Sequence, residues 1–295
     1  VRLRAAAFTN LTRDHLDYHG SMEAYGRAKL RLFAELLPRG APAVANAELE
    51  PWVLAELRAI AAARDLDLLT VGAGGDFYRL LDARPLPDGL ALRVAAGGRP
   101  SEIHLPLPGR FQADNALLAA ALGAALGDAD PLGGLPGLRG VRGRMERAAV
   151  LPNGAAAYVD YAHTPDALER LLLALRPHAA GRLVAVFGAG GDRDPGKRPL
   201  MGAVVARLAD AAIVTDDNPR SEDPAAIRAA VRAACPDALD IGDRAQAIAT
   251  GLGMLGPGDV LVVAGKGHEQ GQTVAGRTIP FDDASVVRGL AGGAP

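Results

Sequence analysis

Two short polar segments hold the side chains best suited to gripping a zwitterion: Asp217-Asn218-Pro219-Arg220 and Gly265-Lys266-Gly267-His268-Glu269. An aspartate attracts an ammonium, and an arginine fork makes two parallel hydrogen bonds to a carboxylate. The second segment adds backbone donors and the carboxylate of Glu269. Each follows an apolar run, at 211–215 in one case and 260–263 in the other. A third segment, Gly191-Asp192-Arg193-Asp194-Pro195-Gly196-Lys197, has the spacing of a phosphate loop up to its lysine. Arg198 stands where a magnesium-binding Ser or Thr is needed, and Asp192 and Asp194 would repel phosphates, so the segment reads as a decoy. Arg193 is better employed as a carboxylate clamp.

Asp160-Tyr161-Ala162-His163-Thr164-Pro165 ends another apolar run. Thr164 reads as a helix cap, whereas Asp160 suits either a ribose-binding carboxylate or a structural turn. Near the start, Asn10-Leu11-Thr12-Arg13-Asp14-His15-Leu16-Asp17-Tyr18-His19 packs two His, two Asp and an Asn into one loop. His15 is suited to a metal or a phosphate, His19 to a surface position. By type and spacing alone, Lys29 is a solvated helical charge, Asn115 a helix-start residue and Arg144 a surface charge.

These segments need strands to present them. After residue 149, apolar strands at 157–159, 183–187, 212–214 and 260–263 alternate with helices at 165–175, 199–208, 224–234 and 244–252. Continuous apolar strands between helices imply a parallel sheet covered on both faces. Ligands gather at the carboxyl ends of such strands, and all four polar segments that follow residue 149 fall on that edge. The first 149 residues predict a second α/β domain. It has a helix over 21–37 capped by Ser21, and strands at 43–45 and 68–71 flanking a helix of about ten residues after Pro51. Edge hairpins between 77 and 107 and a buried alanine-rich helix at 115–126 complete it. A Pro/Gly-rich stretch from 131 to 143 separates the two, placing the domains at 1–149 and 150–295.

A net charge of -2, interspersed Lys and Arg, and 4% aromatic residues give neither a basic field nor stacking surface for nucleic acid. No stretch approaches a membrane span, and the opening residues are too short in apolar length for a signal peptide. Cys235 is the single cysteine, and clustered His is lacking, so neither an internal disulfide nor a zinc site is expected. The expectation is a cytoplasmic monomer with no nucleic-acid or membrane partner. Val1 begins what reads as the approach to a strand end, as in a chain cut from something longer.

Taken together, the segments 10–20, Gly143-Arg144-Met145-Glu146, 160–165, Gly191-Asp192-Arg193-Asp194, 217–220 and 265–269 resemble the MurE ligases of peptidoglycan synthesis over nearly the whole chain. The resemblance implies the remainder of a central ATP-binding domain followed by a Rossmann-like C-terminal domain with a mostly parallel sheet. It implies joining meso-diaminopimelate to UDP-N-acetylmuramoyl-L-alanyl-D-glutamate with ATP and Mg2+, through an acyl phosphate. On this likeness Lys29 matches a lysine that becomes carbamylated and binds magnesium, with His15 as a second ligand. Asn115, Arg144, Asp160 and His163 match the nucleotide site. Arg193, Asp217, Asn218, Arg220, Gly265 and Glu269 match the amino-acid pocket, Arg220 marking diaminopimelate over lysine. Gln112 stands where relatives commonly carry Asn. The family's glycine-rich ATP loop, a magnesium-binding glutamate and a UDP-binding domain are expected ahead of residue 1. Two alternatives remain: a truncated, non-catalytic amino-acid-binding fragment, and an amide ligase of the folylpolyglutamate type, which would leave Asp217 to Arg220 without a second carboxylate to bind.

Overall fold

The computed structural model describes residues 2–11 and 21–292. Packing divides the chain into two units. The first comprises Val1–Arg84, Leu90–Leu105 and Arg110–Leu138; the second comprises Pro85–Gly89, Pro106–Gly109 and Arg139–Pro295. The α/β class expected from the sequence is observed in both, and the largely parallel sheet expected after residue 149 is observed in the second.

In the first unit β1 (Ala6–Phe8), β2 (Pro42–Asn46), β3 (Asp67–Gly72), β4 (Tyr78–Leu86), β5 (Gly89–Ala96) and β6 (Arg99–Leu105) form one sheet in chain order. β1 through β4 pair in parallel, and β5 and β6 form an antiparallel hairpin. α1 (Met22–Arg31) starts where the Ser21 side chain accepts from the Ala24 amide at 3.1 Å. It runs on as a π-helical turn, Leu32–Leu36, closed by Leu37 N donating to Leu32 O at 2.8 Å, so the helix expected over 21–37 is interrupted in its last turns. α2 (Pro51–Arg64) opens on a proline, whose missing N–H costs nothing in a first turn, and spans 14 residues, longer than expected. α3 (Phe111–Ala125) buries Leu117, Leu118 and four alanines, as its composition foretold.

The second unit is built on β7 (Glu146–Val150), β8 (Ala156–Asp160), β9 (Leu183–Phe187), β10 (Ala211–Val214), β11 (Leu239–Asp240) and β12 (Val260–Ala264). The sheet order is β11-β10-β9-β12-β8-β7, with every pairing parallel except β7 against β8. β7 joins this unit because it pairs with β8. Successive strand residues point to opposite faces, and the core divides accordingly. Tyr158, Ala185, Phe187 and Val262 pack under α4 (Pro165–Leu175), α5 (Lys197–Leu208) and α6 (Pro224–Arg232). Val159, Val184, Val186 and Val263 pack under α7 (Arg244–Gly253) and α8 (Asp283–Leu290). Helices on both faces are what continuous apolar strands require. A separate antiparallel hairpin, β13 (Gly271–Val274) and β14 (Arg277–Pro280), turns at Ala275-Gly276, both at positive φ.

Candidate functional site

The carboxyl ends of β8, β9, β10 and β12 present one cleft of roughly 460 Å³, lined among others by His163, Arg193, Asp217, Arg220, Gly265 and Glu269. Asn218 and Lys197 line it too. The side chains assigned to the amino-acid pocket, together with His163, thus share one cavity in the second unit.

Asp217 follows β10 and is only 7% exposed, and its Oδ2 has no hydrogen-bond partner. A buried carboxylate oxygen without a donor is costly. Gly265, at φ +121°, makes room for it: a Cβ at that position would overlap Asp217 Oδ2. Asn218 serves the scaffold. Its Oδ1 accepts from Lys266 Nζ at 3.0 Å and from the Thr273 amide at 2.9 Å, and its Nδ2 donates to Glu269 Oε2 at 2.9 Å. Lys266, fully buried, adds a 3.4 Å contact to Glu269, so the two loops are linked by polar side chains from both.

Arg220 sits at φ +54°, an unfavourable backbone for a residue with Cβ. The β13–β14 hairpin holds it there: Arg220 N donates to Thr273 O at 3.0 Å and Ala275 N to Arg220 O at 2.7 Å. Its Nη1 donates to Gly191 O at 2.6 Å; among the described residues, Nε and Nη2 make no hydrogen bond. Arg193 is exposed on the cleft lining. Lys197 Nζ donates to His163 O at 2.9 Å. Burial lowers its pKa, opposed by the charges of Asp217 and Asp194.

The acids of the phosphate-loop look-alike are engaged in holding the loop. Asp192 accepts from Ser221 Oγ at 2.6 Å, and Asp194 from the Gly196 amide at 2.8 Å. Arg198, nearly buried, grips Glu222 through two 2.8 Å hydrogen bonds from Nη2.

Beside the cleft, Asp160 accepts the Met145 amide on Oδ2 at 2.7 Å and the Ala162 amide on Oδ1 at 2.8 Å. Burial raises its pKa against those amides. The turn role is therefore occupied, and a ribose would have to use the remaining lone pairs. Arg144 lies 4.9 Å from the Tyr161 ring centroid, and Tyr161 also meets His163 edge-on at 4.6 Å. Tyr161 escaped the sequence reading because nothing local distinguishes a site tyrosine from a packing one.

In the first unit Lys29 lines a cavity of about 470 Å³ with Phe8, Asn10 and Phe33. Its Nζ donates to Asn10 O at 3.1 Å and sits 4.7 Å from the Tyr25 ring centroid and 5.7 Å from that of Phe8. It is no fully solvated charge. Asn115 is exposed on α3 and donates to Gln112 Oε1 at 3.3 Å. His15 and His19 lie outside the described residues.

Two family descriptions match the chain: Mur ligase middle domain over residues 1–123, and Mur ligase, glutamate ligase domain over residues 143–267. The UDP-N-acetylmuramoyl-L-alanyl-D-glutamate--2,6-diaminopimelate ligase of Caulobacter vibrioides is 58% identical over 287 residues, covering 97% of this chain and 59% of that protein. The protein of the same name from Mesorhizobium japonicum is 52% identical over 290 residues, covering 98% and 60%. A solved structure of a ligase with this name superposes with TM-score 0.79 at 34% identity, covering 99% of this chain and 61% of that one. Folylpolyglutamate synthase of Mycobacterium tuberculosis, at 23% identity and TM-score 0.59, shares the fold. The chain spans about 60% of the length of the curated relatives it matches.

Proposed function

The chain belongs to the Mur ligase family, and on that premise we propose that it serves the ATP-dependent joining of meso-diaminopimelate to UDP-N-acetylmuramoyl-L-alanyl-D-glutamate in the cytoplasm, its second unit holding the incoming amino acid. The observation that carries this reading is that Asp217, Arg193 and Arg220 line one cleft. A carboxylate suits an ammonium, and two arginine forks suit two carboxylates. Diaminopimelate carries a second carboxylate that lysine lacks, and the printed names of the relatives agree with it.

In the proposed reaction the glutamate side-chain carboxylate takes the γ-phosphoryl group of ATP, releasing ADP. A neutral amine of diaminopimelate then attacks the acyl carbon. The tetrahedral intermediate collapses with loss of phosphate, and the attacking nitrogen gives up its proton. Asp217 and the two arginines orient the nucleophile, which converts an encounter in solution into a positioned attack. Arg144, Asp160, His163 and Asn115 are proposed to contact the nucleotide.

Members of the family use ATP and Mg2+, the metal supplying neutralisation of phosphoryl charge. Among the described residues no group of three or more His, Cys, Asp or Glu could hold a metal ion, and Lys29 as an ammonium repels one. The described residues therefore do not fit the cation as they stand. Lys29 is proposed to bind it only as a carbamate, which would exchange its ring-face contacts for coordination, with His15 as the further ligand.

Phosphate release by the gene product that contains this chain tests the proposal, with ATP, Mg2+, the UDP-linked dipeptide and either diaminopimelate or lysine. Release that depends on diaminopimelate is expected. Equal release with lysine would refute the substrate assignment.

A further inference from the structure

Arg244 opens α7, and its side chain and that of Asp283 at the start of α8 are both fully buried. Nε donates to Asp283 Oδ1 at 2.7 Å and Nη2 to Oδ2 at 2.8 Å. The same guanidinium also donates through Nη2 to Ala264 O at 3.0 Å and through Nη1 to Asp216 O at 3.3 Å. Those carbonyls belong to the residues immediately before Gly265 and Asp217. One cation thus ties together the peptide entering each of the two loops that form the cleft.

A buried ion pair is weak evidence of stabilisation, because the desolvation of both charges offsets their attraction. Geometry is the better account. Asp217 Oδ2 lies so close to Gly265 that a single Cβ would collide with it, so the loops must keep their register to a few tenths of an ångström or the carboxylate turns away. Burial opposes the charge on Arg244, and the carboxylates of Asp283, Asp217 and Glu269 outweigh it. The cation is therefore held in place electrostatically as well as by its hydrogen bonds.

We infer that Arg244, fixed by Asp283, is a positioning residue for the amino-acid site, setting the Asp217 carboxylate against Gly265 at the cleft. This rests on the amino-acid reading of the cleft. Arg244 touches no substrate; it acts through the backbone of the two loops.

The test pairs variants with a wild-type measurement. Arg244→Met/Asp283→Leu replaces the ion pair by apolar groups of similar volume, a change that proteins often tolerate in stability, but it removes both carbonyl donors. In the gene product containing this chain, the KM for diaminopimelate should rise about tenfold or more, while the KM for ATP stays within about twofold. Arg244→Lys, which keeps the charge and loses the fork, should show the same split. A folded variant with an unchanged diaminopimelate KM would overturn the inference. Should the variants not fold, the wild type decides. The Arg244 Nε–H, shielded from solvent, is followed by 15N NMR during titration with diaminopimelate. A saturable shift supports the role; a stationary resonance while the Asp217 and Gly265 amides move overturns it. If those amides do not move either, the amino-acid reading and this inference fall together.

Discussion

Replacing Arg220 by glycine separates recognition from folding. At φ +54° the wild-type residue is strained, and glycine removes that strain, a gain of about 1 kcal/mol. Against it stand the lost hydrogen bond from Nη1 to Gly191 O, 2.6 Å, about 1.5 kcal/mol for a charged donor, and the greater freedom of glycine in the unfolded chain, about 0.7 kcal/mol. The balance is a loss of about 1 kcal/mol, a shift of a few degrees in Tm. Recognition should suffer far more. A substrate carboxylate left in the cleft without its fork costs about 3 kcal/mol, or on the order of 10²-fold in KM for diaminopimelate. Lysine, with no second carboxylate, should be little affected, and so should ATP. The assay is initial-rate phosphate release at varied diaminopimelate, lysine and ATP, with a thermal melt of the same sample. A diaminopimelate-to-lysine preference unchanged in a folded Arg220→Gly protein would refute the assignment of Arg220 to the distal carboxylate.

Gly265→Ala should raise the diaminopimelate KM by on the order of 10²-fold, because Asp217 must retreat by about 1 Å. Gly154→Ala, at φ +83° with nothing near its Cβ, carries the backbone strain alone and should leave KM unchanged; equal effects would point to strain as the cause in both. Lys266→Met removes a buried donor to Asn218 and Glu269 and should cost about 2 kcal/mol of stability by urea denaturation; no loss would mean that the loops are held otherwise. His178 accepts from the Gly109 amide at 2.8 Å on Nε2 and donates from Nδ1 to Leu86 O at 2.7 Å, and burial lowers its pKa. The unfolded state therefore binds the proton more readily. This contribution to stability is complete above the unfolded histidine pKa of about 6.5 and is lost as pH falls from there toward the lowered folded value. Urea melts at pH 7.5 and 5.5 should show the loss, and His178→Asn should reduce it; a slope unchanged by the substitution would contradict this account.

The strands of the second unit were legible because β8, β9, β10 and β12 are short apolar runs, buried almost throughout, and the polar residues after them could be placed on one edge. The elements that aim those residues were not. The β14 strand is exposed at every position and so carries no alternation. α8 has eight residues and buries only Ala284 and Val287 as apolar contacts, with Asp283. The partnership of Asp283 with Arg244 spans 39 residues and leaves no local signature. Arg220 was singled out by type, but the hairpin that enforces its backbone could not be read. Asp160 was left between two roles by the sequence, and the amides of Met145 and Ala162 now account for one of them.

The most direct measurement of the central claim is a titration of this chain with meso-diaminopimelate and, separately, with lysine, followed by backbone NMR. The account predicts that diaminopimelate shifts the amides of Asp217, Arg220, Gly265 and Glu269 and binds more tightly than lysine. Equal binding of the two, or shifts confined to residues outside this cleft, would contradict it.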